Sequence, residues 1–420
     1  MRTISTLLAL LPSSVIAPSP READVIRLWD TGSKTVEIAQ AVGCTQRNVQ
    51  QILKRVDAFA PVAPVHPDLV EVVRYHAEKC GPNYGWNMLL GSLRSLYGCA
   101  WSFPRRQVYA VLHDLNPEAY AARRHWAMRR IGREIYFAPH FLYSVHIDLA
   151  CKLQEYGLYV GAAVDGASRM VLSLRVLSDK LPVTIYDHIF SPMVEEYGLP
   201  DQLISDKGGE WFVAAFVSIC LARSAGLHRR GHRFVQSKRN TRVERFNYEI
   251  NMRVLVRFRR LINYLRSKHL LDKGVGAEVF AFATVAKPLM QFGCDVLCAS
   301  WNHHKVRNVR YQGKALPGTG GVPVEVAKQR PHPGNGPRRL PAGFDGVSEY
   351  ELVSGSLLNT VSGAQDMDYE LCSAPVRRLR MQEVSHIIGD IEHAYIELGQ
   401  GFFGRFEDAY LAFLSYYPAA

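Results

Sequence analysis

The period of apolar positions changes to that of strands in three short runs near the middle of the chain. These are SVHIDLA (Ser144 to Ala150), LYVGAAVD (Leu158 to Asp165) and RMVLSLRV (Arg169 to Val176). The first run alternates with a period of two, all three read as strands, and the Gly-Ala-Ser before the third supplies a turn. A helix is expected over Pro182 to Tyr197, then a short strand (Gln202 to Ser205) leading into Asp206, then a long apolar helix from near Glu210. Ahead of the strands the period is helical. In TVEIAQAVGCTQRNVQQILKR (Thr35 to Arg55), Val49 and Ile52 face Ile38 and Val42, and Ala39 is small where two helices would cross. Gly43 suits the positive φ of a tight turn and Thr45 suits the cap of the second helix. This is helix-turn-helix spacing, with Gln46, Arg47, Gln50, Gln51 and Lys54 on the outer face, side chains fit for base edges and phosphates. Residues 68–115 repeat the pattern: helices near Leu69 to Lys79 and Trp86 to Tyr97, and a third after Ser102 that opens with Arg105, Arg106 and Gln107. A second helix-turn-helix or winged-helix module fits, and so does a structural hairpin.

Proline and glycine mark the joints. Ala60 to Asp68 (APVAPVHPD) reads as a short stiff linker, and six prolines with six glycines between Pro317 and Gly343 predict a stretch without packed elements. The expected divisions are a helix-turn-helix module over 1–58, a second helical module with a basic linker over 68–135, an α/β core over 140–316, the linker 317–343 and a C-terminal region 344–420. A length of 420 residues agrees with several domains.

Charge sharpens this division. The formal net charge is +11, and residues 228–273 alone hold 14 Lys/Arg against three acids. A second basic cluster comprises Arg123, Arg124, Arg129, Arg130 and Arg133, whereas residues 341–420 carry 12 Asp/Glu against four Arg. Concentrated positive charge interleaved with Tyr, Phe and Asn points to a polyanion, DNA, and not to a small-molecule substrate. If the acidic tail masks that charge, removing it should raise DNA affinity at low salt. No apolar run reaches the ~18 residues that span a bilayer, so no membrane partner is expected. Pro12 interrupts the apolar N-terminal run, and the expectation is a protein that is not secreted, nuclear in a eukaryotic host and otherwise cytoplasmic. Eight cysteines without a CxxC, and a His76, Cys80, Cys99 spacing unlike a His-His-Cys-Cys domain, give no thiolate zinc site.

Asp148 interrupts an otherwise apolar strand in IDLA, a costly place for a carboxylate without a metal or partner. Two later segments give that position a context. Ser205-Asp206-Lys207-Gly208-Gly209-Glu210-Trp211 is similar to the second-carboxylate motif of the retroviral-integrase and DDE-transposase superfamily. Ser237 to Asn247 (SKRNTRVERFN) resembles the third motif, with Glu244 as its glutamate. There are 57 residues between Asp148 and Asp206, and 37 between Asp206 and Glu244, the second gap close to the family's usual spacing. Trp301-Asn302-His303-His304, then Arg307 and Gly321-Val322-Pro323, resembles the tail that follows such cores.

The resemblance implies an RNase H-like, mixed-sheet α/β core, preceded by all-α helix-turn-helix modules and followed by a small acidic region. It implies a mobile-element integrase or transposase whose Asp148, Asp206 and Glu244 hold two Mg²⁺ (or Mn²⁺) ions, with Asp148 shared between them. Its partner would be DNA, both element ends and target, and joining two ends implies a homo-oligomer. Lys207, Arg239, Asn240, Arg242 and Arg245 would touch DNA beside the acids. The third motif departs from the family, reading Lys238-Arg239-Asn240-Thr241 where a His-Asn-Gln-like run is usual, and Lys207 stands where Asn is common. Two rivals stay open: a domesticated, catalytically silent DNA-binding protein, and a nuclease that only hydrolyses. Asp165 in VDGASR reads as a turn residue, His303 and His304 as exposed loop residues, and Ser205 has no motif that brings it a histidine.

Overall fold

The computed structural model describes residues 20–30, 35–55, 64–98, 100–119, 136–224, 226, 229–236, 240–307, 310–311, 314–315, 320–333, 339–358, 368 and 372–417. The chain divides into two compact units, residues 1–66 with 99–102, and residues 67–98 with 103–420.

In the first unit, α1 (Pro20–Asp30), α2 (Thr35–Val42) and α3 (Gln46–Arg55) enclose Val25, Ile38, Ala39, Val49, Ile52 and Leu53. Gly43 takes φ +67° in the turn, and the Thr45 hydroxyl accepts the Asn48 N–H at 3.2 Å, as the spacing predicted. Gln46, Arg47, Gln50 and Gln51 are exposed on α3, and the Gln46 amide donates to Thr35 Oγ1 at 2.9 Å. The Lys54 side chain lies outside the described residues.

The second unit is built on β1 (Val145–Leu153), β2 (Leu158–Asp165), β3 (Val171–Leu177), β4 (Leu203–Ser205) and β5 (His232–Phe234), ordered β3-β2-β1-β4-β5. The first three run antiparallel, and β4 and β5 are parallel to β1, each needing a crossover. The first crossover is α7, helical over Pro182–Ile185, wound as a π turn over Tyr186–Phe190 and helical again over Ser191–Tyr197; the second is α8 (Phe212–Ser224). Ile185, Ile189, Phe190 and Val194 of α7, with Trp211 and Val213, cover the sheet face that carries Val145, Ile147 and Leu149.

The opposite face, with Val160, Ala162, Val164 and Val176, is covered by helices from across the unit. In chain order these are α4 (Leu69–Cys80), α5 (Trp86–Tyr97), α6 (Arg105–Leu115), α9 (Thr241–Ile250), α10 (Val256–Ser267) and α11 (Gly276–His303). A π turn over Asn251–Leu255 joins α9 to α10. The 28-residue α11 is the spine: a Cβ on Gly91 of α5 would stand 2.1 Å from Ser300 O, so only glycine lets these helices meet. Side chains of α11 also close the free edge of β3. Gln291 accepts from Val176 N and donates to Leu174 O, while Asn302 accepts from Val171 N and donates to Val171 O, all at 2.8–3.1 Å. Trp301 and Asn302 are therefore structural, and His304, expected in an exposed loop, is buried at the helix end with Nδ1 2.6 Å from Trp301 O.

Two expectations from composition change. Within the Pro/Gly-rich stretch, α12 (Pro323–Gln329) forms, because Pro323 is a compatible first helical residue and none of the next six is a breaker. The acidic C-terminal region is part of the main core. It comprises α13 (Gly346–Ser354), α14 (Ala374–Ile388), α15 (Ile391–Gln400) and α16 (Gly404–Leu414). Phe406 and Phe413 meet Phe282 and Phe280 of α11, and the buried Arg257 donates to Tyr395 O and Lys79 O at 2.8 and 2.9 Å. Glu407 pairs with Lys268 at 2.7 Å, so the tail neutralises α10 locally while burying its own aromatics.

Candidate active site

Asp148 lies near the middle of β1 opposite Ala162 of β2, and its side chain shares the sheet face on which α9 packs. Glu244 sits in the first turn of α9, and Asp206 directly follows β4, the parallel neighbour of β1. Topology alone therefore gathers three acids separated by scores of residues. Burial first, then the nearby charges of Glu244 and Asp206, push the Asp148 carboxyl up to about 7.

Each acid is held differently. Asp148 Oδ1 accepts from Leu149 N at 2.9 Å and Oδ2 from the Asn247 amide at 2.8 Å. Asp206 Oδ1 accepts from the Trp211 indole at 2.7 Å and from Gly208 N at 3.3 Å, which fixes the carboxylate against the glycine turn of SDKGGEW. Glu244 is held through its helix. Its N–H donates to Asn240 O at 3.1 Å, and the Asn240 side chain locks that helix start to β1. The Asn240 amide donates to Ile147 O at 3.0 Å, so its oxygen faces His146 Nδ1 at 2.6 Å and must accept. His146 is then a neutral Nδ1–H imidazole, held down to about 4 by burial, and its Nε2 accepts from the Tyr136 hydroxyl at 2.7 Å. Arg242 lies 4.3 Å over the Tyr136 ring.

Residues 136–315 match the family model of the integrase core domain. This segment is an integrase-type, RNase H-like core. No curated protein matches the chain.

The integrase core distributes the sequence-derived candidates unevenly. Lys207 is exposed beside Asp206, and Arg245 is exposed on α9, paired with Glu249 at 2.6 Å. Asn240 is fully buried with its amide turned to protein, a positioning place and not a surface one. Arg239 lies outside the described residues. Asp165 is buried and accepts from Leu142 N, Ser168 N and Ser168 Oγ, the turn residue expected. Ser205 does meet a histidine, His232 Nε2 at 3.1 Å, but its hydroxyl donates to Asp206 O at 2.9 Å and both side chains are buried.

Sequence reasoning missed Asn247 and His146. Asn247 was visible as the residue three past Glu244, hence on the same helix face; His146 shares a strand face with Asp148 two residues on. A basic cleft lined by Arg229, Arg230 and Arg233 with His232 and Phe234 opens beside β5, inside the basic run read from the sequence. The three acids do not stand at mutual ligand distance. Among the described residues, the one trio of His, Cys, Asp or Glu ligand atoms within 4.8 Å of one another is His140, Asp201 and His332.

Proposed function

We propose that the chain is a DNA integrase or transposase that cleaves strands and joins them, with Asp148, Asp206 and Glu244 as its acidic centre. The observation that carries this reading is the placement of Asp148 on β1, Asp206 just after its parallel neighbour β4, and Glu244 in the first turn of the helix packed on β1, within an integrase-type core. Asp148 is raised first by burial and then by the charges of the other two acids. Three carboxylates are a hard-oxygen donor set, which suits Mg²⁺ or Mn²⁺. The buried Asn247 Oδ1, without a hydrogen-bond partner in the residue that already holds Asp148, is a further acceptor in the same place. Two bound ions would activate the attacking oxygen and stabilise the leaving 3′-oxygen of a phosphodiester.

The chain's own residues do the rest. Asn247 orients the Asp148 carboxylate, the Trp211 indole orients Asp206, and Tyr136, His146 and Asn240 seat the helix that carries Glu244. Arg242, Arg245, Lys207 and Arg239 supply positive charge for the phosphates flanking the acids. Gln46, Arg47, Gln50 and Lys54 would read the element ends from the first unit, a helix-turn-helix module in this reading. Bringing two ends together calls for more than one copy of the chain.

Plasmid nicking in Mg²⁺ or Mn²⁺ tests the reading, wild type beside Asp148→Asn and Glu244→Gln. Metal-dependent nicking lost in both variants, with DNA binding retained, supports it. Wild-type protein that binds element-end DNA yet neither nicks nor joins it would favour the domesticated binding protein; cut strands never joined would favour the nuclease.

A further inference from the structure

We propose that His140, Asp201 and His332 form a zinc site that staples the segment after α12 to the base of the sheet. The three come from separate places: the approach to β1, the loop between α7 and β4, and the residues following α12. They meet at the N-terminal ends of β1 and β4, whereas Asp206 sits past the C-terminal end of β4. His332 Nε2 is 2.9 Å from Asp201 Oδ1, His140 Nε2 is 3.4 Å from Asp201 Oδ2, and the imidazoles stand edge to face with centroids 4.9 Å apart. In a tetrahedral zinc site with bonds of about 2.0–2.2 Å the donor atoms lie roughly 3.3–3.6 Å from one another. The observed separations need only small side-chain rotations to reach that.

The hydrogen bonding of His140 gives its ring the tautomer of a metal ligand. His140 Nδ1 lies 3.0 Å from Phe141 O, which can only accept, so Nδ1 carries the proton. Nε2 is therefore the ring nitrogen open to a metal, and it is the one turned toward Asp201. Zinc ligands are commonly oriented in this way, the outer ring nitrogen donating to a carbonyl. Two imidazoles and one carboxylate select zinc over magnesium, which prefers oxygen. The fourth position is left for water. The backbone around the trio is tied independently of the side chains, Phe141 N to Arg330 O at 2.8 Å and Asp201 N to Leu142 O at 2.9 Å. Ligand variants should therefore keep the fold.

The test is zinc titration by calorimetry into metal-stripped, full-length protein, in wild type, His140→Ala, His332→Ala and Asp148→Asn. One equivalent of Zn²⁺ should bind wild type and Asp148→Asn alike, with Mg²⁺ in excess failing to displace it. Either histidine variant should bind about 100-fold more weakly or worse. Absence of binding at micromolar Zn²⁺, binding indifferent to the histidines, or binding lost in Asp148→Asn would each overturn the proposal. Zinc-edge X-ray absorption on the wild type needs no variant: imidazole scattering supports the site, and an all-oxygen shell overturns it.

Discussion

Two aspartates of the β1–β2 pairing, one at its end and one near its middle, invite comparison. Asp165 stands opposite Val145, and Asp148 stands three residues along β1 from that pair. Both carboxyls are raised, and for both the first cause is burial. Asp165 is the more buried, at 0% exposure, yet its surroundings are all donors: two backbone N–H groups and a hydroxyl close a turn in which Arg169 takes φ +65°. Asp148 receives one backbone N–H and one amide, and its other influences are two acids. Burial is therefore a poor guide to which acid does chemistry. The sign of the neighbours separates them. A carboxylate ringed by donors is already satisfied, while one facing carboxylates gains most from a cation.

Substitution should pull the two apart. Asp148→Asn is expected to lower metal-dependent nicking on the order of 1,000-fold, with melting temperature held or raised. Asp165→Ala leaves Leu142 N and both Ser168 donors without their acceptor. It should cost about 3 kcal/mol in urea unfolding of the full chain, while nicking per folded molecule stays near wild type. An Asp165 variant that folds normally but cannot nick would break the comparison. Truncation at residue 343 should behave like Asp165→Ala on a larger scale, exposing Phe280 and Phe282 and yielding aggregation. A soluble truncated chain with raised DNA affinity would restore the masking role for the tail.

The contrast also explains what was readable beforehand. Strands β1 to β3 were legible as short apolar runs between turn residues, and β2 matched to the residue, because a sheet covered on both faces buries nearly every position. Asp148, Asp206 and Glu244 were legible as motif positions. Less legible was anything whose pattern is not local. The spine α11 is apolar nearly all round and contains Pro288, so it lacks the amphipathic stripe that marks a surface helix. The C-terminal helices showed as an acidic tail because their charges outnumber the few aromatics that anchor them. His140, Asp201 and His332 share no spacing at all; only the fold brings them together.

A pH titration sharpens the comparison at intermediate effect. The Asp148 carboxyl sits at about 7 in the folded chain and near 3.9 when unfolded. Its protonated form is the one the fold favours, so its contribution is complete below about pH 4 and is lost as pH rises through about 7. In metal-free protein, Asp148→Asn should thus be more stable than wild type by about 1–2 kcal/mol at pH 8 and equal to it near pH 4. Urea midpoints at the two pH values, with and without Mg²⁺, check this, and Mg²⁺ should erase the advantage by stabilising only the wild type.

The smallest expected effect probes the one amide that reaches the Asp148 side chain from α9. Asn247 donates to Asp148 Oδ2 at 2.8 Å while its own Oδ1 is buried without a partner. Asn247→Ala removes a hydrogen bond to a carboxylate, about 1–2 kcal/mol when Asp148 is ionised, but also removes a buried, unsatisfied acceptor. Net stability should change by less than about 1 kcal/mol. The bond favours the ionised carboxylate, so losing it pushes the Asp148 carboxyl further up. Nicking needs the ionised form, and its rising limb with pH should move roughly half a unit alkaline, with near-normal rate above it. A limb that stays in place while the rate falls at every pH would mean that Asn247 sets the geometry of Asp148 and not its charge. The distinction between the two aspartates would then rest on Glu244 and Asp206 alone.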